Sequence, residues 1–285
     1  MLGTKEEITW CPGCTNFGIL NAVKRAVGEL IKEKKLRQRE VVTVTGIGCH
    51  AKIYDYLNLS GFYSIHGRVL PTALGIKVGN PRLTVIGFGG DGDTYAEGIS
   101  HFIHACRYNV DMTMIVHNNQ VFALTTGQAT PTTEEGFKGK STPLGVFEKP
   151  LNPIVLALLS GATFVARGYA LYVDHLKKLI KEGIKHKGFA LIDVLQPCIT
   201  FHDIRDWLEK RMYKLEKKGH DPKSFEKAMK RALEWDYNLE RGNKVPIGIF
   251  YRAREKTYEE HWPQLRAWYK YERKIRVREV LKEFL

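Results

Sequence analysis

No part of this chain is apolar for long enough to cross a bilayer, since no hydrophobic run approaches the roughly 18 to 20 residues that such a span needs. The opening residues, MLGTKEEITWCPGC, have no apolar centre of a signal peptide. Cysteine is sparse: the 285 residues contain five, one close pair (Cys11 and Cys14) and three singles (Cys49, Cys106 and Cys198). That number and spacing exclude the dense disulfide framework of small secreted domains. These absences lead to the expectation of a cytoplasmic protein with no membrane association. Internal repeats and low-complexity linkers are missing as well. So is any basic stripe interleaved with aromatic residues, although 44 Lys+Arg stand against 31 Asp+Glu for a net charge of +13. The positive charge is therefore read as solvated helix faces with some provision for an acidic protein partner, and no nucleic acid is expected.

What is present is an alternation. NFGILNAVKRAVGELIKEKK has apolar residues at helical spacing, with Asn16 placed as its cap, and VVTVTGIGC reads as a buried strand ending in a glycine-bounded turn. VLPTALGIKVG reads as a short helix. LTVIGF is a strand, GGDGD a tight loop, TYAEGISHFIHACRYN a helix and MTMIVH a strand ending in NNQV. FALTTGQATPTTEEGFKGKSTPLG is a long loop, followed by the helix NPIVLALLSG, strand TFVARGY, helix DHLKKLIKEGIKH and strand FALIDVLQPC. Strands separated by helices predict a doubly wound, mainly parallel α/β sheet. The expected organisation is one such domain over 1–202. A charged, mostly helical extension over 203–285, broken by the strand PIGIFYR, would pack on the same domain.

Gly90-Asp91-Gly92 follows one strand and Asn118-Asn119 ends the next, so in a parallel sheet both groups reach the carboxyl edge, where open α/β sheets bind ligands. Asp91 and Asn119 offer hard oxygen donors suited to Mg²⁺. The flanking glycines would let backbone approach a phosphate at the start of the following helix. Either group alone is an ordinary turn. Together, at the two ends of one helix-strand unit, they point to a diphosphate bridged through Mg²⁺, and they resemble the GDG…NN pattern of thiamine diphosphate enzymes. That resemblance adds the backbone carbonyl of Val121 as a metal ligand.

Cys11 and Cys14 are two residues apart, a spacing that lets both thiolates reach one metal centre. A thioredoxin-like redox pair would need a different surrounding pattern. Cys49 and Cys198 each follow a strand and are expected near the edge that carries Asp91. Cys106, at core spacing within a helix, is expected to be a buried structural thiol.

WCPGC, GIGC, HGR, GGDGD, NNQV, GQATPTT and ALIDVLQPC, in this order from Trp10 to His202, resemble the β subunit of archaeal 2-oxoacid:ferredoxin oxidoreductases. The resemblance implies a fold of the thiamine diphosphate-binding type and makes Cys11, Cys14, Cys49 and Cys198 the ligands of a [4Fe-4S] cluster. It places Gly48, Cys49, His66, Arg68, Gly90, Asp91, Gly92, Asp93, Asn119, Val121 and Leu124 at the cofactor, and Lys52, Leu124 and Thr126 at the substrate. The family often has GLTKGQ where this chain has Ala123-Leu124-Thr125-Thr126-Gly127-Gln128. Thr126 therefore replaces a cationic contact, which opens the question of substrate range. The implied reaction is oxidative decarboxylation of a 2-oxoacid with coenzyme A to acyl-CoA and CO₂, electrons passing through the cluster to ferredoxin. An α (or α/γ) subunit would supply the activating glutamate, leaving Glu97 an ordinary helix carboxylate. A non-redox thiamine decarboxylase or synthase would leave the cysteines unexplained. A zinc-stabilised binding protein would reduce GDG and NN to turns.

Overall fold

The computed structural model describes residues 2–239, 244–262 and 281–282. The charged stretch expected to be helical after PIGIFYR lies, at 263–280 and 283–285, outside the described residues. In chain order the elements are α1 (Asn16–Lys32), β1 (Val41–Thr45), β2 (Ser60–Tyr63), α2 (Val69–Gly79), β3 (Thr84–Gly90), α3 (Ile99–Tyr108) and β4 (Met112–Asn118). A short hairpin, β5 (Val121–Phe122) and β6 (Gln128–Ala129), precedes α4 (Pro153–Leu159), β7 (Phe164–Tyr169), α5 (Val173–Lys185) and β8 (Phe189–Leu195). The chain continues with α6 (Arg205–Glu209), β9 (Met212–Lys214), α7 (Phe225–Ala232) and β10 (Val245–Arg252).

Eight strands form one sheet in the order β2-β1-β3-β4-β8-β7-β10-β9. The six from β2 to β7 are mutually parallel. β10 joins β7 antiparallel and carries β9 on its outer side. β4, β7 and β8 are buried at every residue because helices cover both faces of the sheet. Val85, Met112, Met114, Val116 and Leu191 pack with Phe102, Ile154 and Leu158 from α3 and α4. Ile86, Phe88, Ile115 and Ile192 pack with Ile19, Val23 and Val27 of α1 and Leu176 and Ile180 of α5. The strand PIGIFYR is thus a member of the main sheet.

Three local expectations are corrected. Asn16 does not cap α1: Thr15 precedes the helix without a side-chain capping bond, and Asn16 Oδ1 instead meets His117 Nδ1 at 2.7 Å. The segment GGDGD is no simple loop, since Gly89 and Gly90 remain in β3 and Asp91 and Gly92 already turn helically. Asp93–Glu97 is then a π-helical turn, closed where Gly98 N–H donates to the Asp93 carbonyl, so the following α-helix starts only at Ile99. The long loop after NNQV also contains the β5–β6 hairpin, pairing Val121 with Ala129 and Phe122 with Gln128.

Candidate functional site

The chain leaves β1 toward β2 and leaves β3 toward β4, in opposite directions along the sheet. A crevice opens at the carboxyl ends of such a strand pair. The turns after β1, β3 and β4 line a cavity of about 350 Å³ there, completed by His66, Glu97, His117 and Gln196. That volume lies in the range of small-molecule and cofactor pockets.

Asp91 is 1% exposed at the cavity. Burial pushes its carboxyl up to about 6, against the hydroxyls of Thr130 and Thr132, which donate to Oδ2 at 2.5 and 2.9 Å. Asn119 is also buried; its Oδ1 accepts from Val121 N–H at 3.0 Å and its Nδ2 donates to Gln196 Oε1 at 3.2 Å. A buried carboxylate whose charge is costly to hold there, facing a cavity beside an amide oxygen, is a pair of hard oxygen donors that suits a cation. The glycines around Asp91 have a more local purpose than expected. A Cβ on Gly90 would lie 2.9 Å from His50 Nδ1, and one on Gly92 would lie 2.1 Å from the Phe122 ring. They make room for two rings of the cavity wall.

Asp93, 2% exposed, anchors the other side. Its Oδ1 accepts from His66 Nδ1 at 2.8 Å and from Gly67 N–H at 2.8 Å. Burial alone would raise its carboxyl, but the His66 bond, the His50 ring and the Gly67 N–H outweigh it and hold the group ionised. The bond to Asp93 in turn raises His66, whose Nε2 lies 3.1 Å from Glu97 Oε2. Glu97 therefore faces the cavity at the end of the π-helical turn, correcting the expectation of an ordinary helix carboxylate. His50 lies with Nε2 3.7 Å from Asp93 Oδ2, and burial pushes its pKa down to about 4. His50 Nε2, His117 Nε2 and Asp93 Oδ2 are buried without a hydrogen-bond partner. Three polar atoms left bare around one cavity fit a polar occupant.

A second cavity, of about 180 Å³, is lined by Cys11, Cys14, Cys49 and Cys198, all free thiols. Pro12 and Gly13 (φ +77°) turn the chain so that Cys14 N–H reaches the Cys11 carbonyl at 3.0 Å. The Trp10 indole N–H donates to the Cys49 carbonyl at 2.6 Å, tying this arm to the turn after β1. Burial raises the Cys14 thiol to about 11, with the other three sulfurs adding to the rise, and raises Cys49 as well. Among the described residues no three His, Cys, Asp or Glu side chains are grouped so as to hold a single metal ion. Four sulfurs set around a void suit a larger, polynuclear group. The two cavities share Cys49, Asn119, Ala123, Leu124 and Gln196 as a common wall.

Of the remaining residues, Gly48, Val121 and Leu124 line the first cavity, and Lys52 lines the second, with Nζ on the Thr9 carbonyl at 3.0 Å. Arg68 is exposed and outside both linings; its Nη1 donates to the carbonyls of Gly67 and Glu97. Thr126 is exposed beside the first cavity with φ +79° and does not line it. Cys106 is fully buried in the core as expected, and burial raises its thiol far above the ordinary range. Sequence reasoning missed His50, His117, Phe122, Thr130, Thr132 and Gln196. The first two directly adjoin quoted motifs, and the threonines lie within GQATPTT.

Residues 46–194 match the family of thiamine pyrophosphate enzymes, C-terminal TPP binding domain. Residues 198–267 match the family formed by the C-terminal part of the pyruvate ferredoxin oxidoreductase beta subunit. The 2-oxoacid:ferredoxin oxidoreductase subunit beta of Saccharolobus solfataricus is 49% identical, over 91% of this chain and 87% of its own. Subunit beta of 2-oxoacid:ferredoxin oxidoreductase 1 from Aeropyrum pernix is 46% identical, over 90% and 81%. Among solved structures, 2-oxoglutarate:ferredoxin oxidoreductase from Magnetococcus marinus, with 2-oxoglutarate, coenzyme A and succinyl-CoA bound, superimposes with a TM-score of 0.88. It is 31% identical, over 99% of this chain and 94% of that one.

Proposed function

The chain belongs to the β-subunit family of 2-oxoacid:ferredoxin oxidoreductases, and from that premise we propose that its larger cavity holds thiamine diphosphate through Mg²⁺ and its smaller one a [4Fe-4S] cluster. Asp91 and Asn119, with the Val121 carbonyl, would ligate Mg²⁺, and a cation there would draw the raised Asp91 carboxyl back down and offset the cost of burying its charge. Cys11, Cys14, Cys49 and Cys198 would hold the cluster. When bound, thiamine diphosphate supplies an electron sink for 2-oxoacid decarboxylation with coenzyme A as acyl acceptor, and the cluster supplies a one-electron relay toward ferredoxin.

The chain's own residues do the rest. Asp93 fixes the His66 ring, and Val121, Phe122 and Leu124 supply apolar wall. Lys52, Leu124 and Thr126 are the proposed substrate contacts. The exposed apolar side chains Ile47, Phe62, Tyr63 and Ile65 lie on the turns and edge strand next to the cavity, as a partner-subunit face would require. That partner, the α subunit, would bring the activating glutamate. The single observation that carries the reading is the common wall of the two cavities, because electrons leaving one occupant need a short path to the other.

A non-redox thiamine enzyme would have no use for the cysteine-lined cavity. A zinc site would need the side chains to close on a single ion, and among the described residues no three His, Cys, Asp or Glu side chains are grouped to hold one. The test is the iron, zinc, acid-labile sulfide and thiamine content of the complex, co-expressed with its partner subunit and purified without oxygen. About four irons and four sulfides per β chain, with thiamine, are expected. Zinc, or no metal, would overturn the cluster assignment.

A further inference from the structure

Tyr237 lies between α7 and β10, in a stretch where the sequence offers no motif, and it is fully buried at φ +67°. Bulky side chains rarely adopt that backbone conformation. Its ring stacks on Trp235 with centroids 4.2 Å apart. Its hydroxyl donates to Asp193 Oδ2 at 2.7 Å and accepts from Arg167 Nη2 at 3.0 Å. Asp193 and Arg167 are both 0% exposed. An ion pair buried so completely is no economical source of stability, because apolar side chains of similar volume commonly do as well or better. The arrangement invites a search for what it positions.

The bonds lead to the cation donors by two routes. Asp193 Oδ1 accepts from Asn118 Nδ2 at 3.1 Å, which turns Asn118 Oδ1 toward the Thr132 hydroxyl at 3.0 Å. That hydroxyl also lies 2.9 Å from Asp91 Oδ2, its single proton shared between the two acceptors. On the second route Gln120, itself at φ +60°, donates from Nε2 to the carbonyls of Thr132 at 2.6 Å and Tyr237 at 3.3 Å. Both neighbours of Asn119, and the threonine that orients Asp91, are therefore tied to one buried frame.

We propose that Tyr237 is a positioning residue for the divalent-cation and diphosphate site, fixing Asn119 and Asp91 through Asp193 and Gln120. Tyr237 is then part of the cofactor site without touching the cofactor. The inference rests on the reading of the larger cavity given above.

The test is Tyr237→Phe, which keeps the ring stack and deletes the hydroxyl, in the complex with its partner subunit. Mg²⁺ is titrated calorimetrically at saturating thiamine diphosphate after both have been removed. Loss of a group bonded directly to a metal ligand typically costs about 10–100-fold in metal affinity; the Tyr237 hydroxyl acts on Asp91 through Asp193, Asn118 and Thr132, so the half-saturating Mg²⁺ should rise by roughly three- to tenfold. The KM for the 2-oxoacid at saturating cofactor should stay within about twofold. Trp235→Phe removes the stacked indole but none of the bonds to Asp193 or Gln120. It should lower the melting temperature without moving the Mg²⁺ titration. Unchanged Mg²⁺ affinity in Tyr237→Phe would sink the proposal. So would an equal loss of affinity in Trp235→Phe at equal loss of melting temperature, since the effect would then be general loosening. A wild-type complex that binds neither Mg²⁺ nor thiamine diphosphate would overturn the cavity assignment, and the positioning role with it.

Discussion

Replacing Asp91 by Asn should stabilise the empty protein while abolishing its cofactor binding. The carboxyl is 1% exposed and burial raises it from 3.8 to about 6. Between those two values the native state holds a proton that the unfolded state has released, so stability falls as pH rises through this window and stays low above it. A rise of about two pH units is about 3 kcal/mol, taken as an upper estimate. The amide has no charge to desolvate, and its oxygen can still accept from the Thr130 and Thr132 hydroxyls. Its NH₂ would face Asn119 N–H, which makes only a weak 3.4 Å contact to Asp91 now. The assay is thermal unfolding of the metal-free, cofactor-free complex from pH 4 to 8, wild type against Asp91→Asn. The variant should match wild type near pH 4 and melt higher at pH 7.5, by up to roughly 6–12 °C for about 3 kcal/mol. Added Mg²⁺ and thiamine diphosphate should raise the wild type by about 2.7 kcal/mol at a hundred times the dissociation constant and leave the variant unmoved. If Asp91→Asn melts lower than wild type at pH 7.5 without metal, the carboxylate carries no desolvation cost and the cation-site argument fails.

Four further variants have expected outcomes. Gly90→Ala puts a methyl 2.9 Å from the buried His50 ring; it should destabilise by about 1–3 kcal/mol and lower thiamine retention, checked by melting and by thiamine content. Thr126 sits at φ +79°, so Thr126→Gly should stabilise by about 1 kcal/mol, read by melting, whereas Thr126→Lys should alter the relative KM values of acidic and neutral 2-oxoacids with little change in thiamine content. Cys14→Ser should lose most of the iron, sulfide and absorbance near 400 nm (roughly, as for an Fe–S chromophore) while keeping thiamine; full iron retention would remove Cys14 from the ligand set.

The parallel sheet was legible because its central strands are buried on both faces and so appear as short apolar runs between amphipathic helices. Asp91, Asn119, Cys49 and Cys198 were legible because each closes or follows a strand, and strand ends in a parallel sheet share an edge; Cys11 and Cys14 were legible from their own spacing. The roles of His50, His117, Thr130 and Thr132 were not, because a residue's contacts across a crevice have no period along the chain. Asn16 shows the limit of local rules. A capping residue type in the right place gave up the cap for His117, a partner 101 positions away. Tyr237 was invisible for a related reason: its backbone conformation belongs to glycine or asparagine by preference, and tertiary contacts with Asp193, Arg167, Gln120 and Trp235 accompany it there.

The cysteines of the second cavity come from an arm before α1, the turn after β1 and the turn after β8. A group bonded to all four sulfurs would cross-link the chain in the manner of interlocked disulfides, closing three successive loops, Cys11 to Cys14, Cys14 to Cys49 and Cys49 to Cys198, the last by far the longest. By the chain-entropy model, closing a loop of about 100 residues restrains the unfolded ensemble by about 4–5 kcal/mol. Oxygen, by dissolving such a group, would act on this protein as a denaturant.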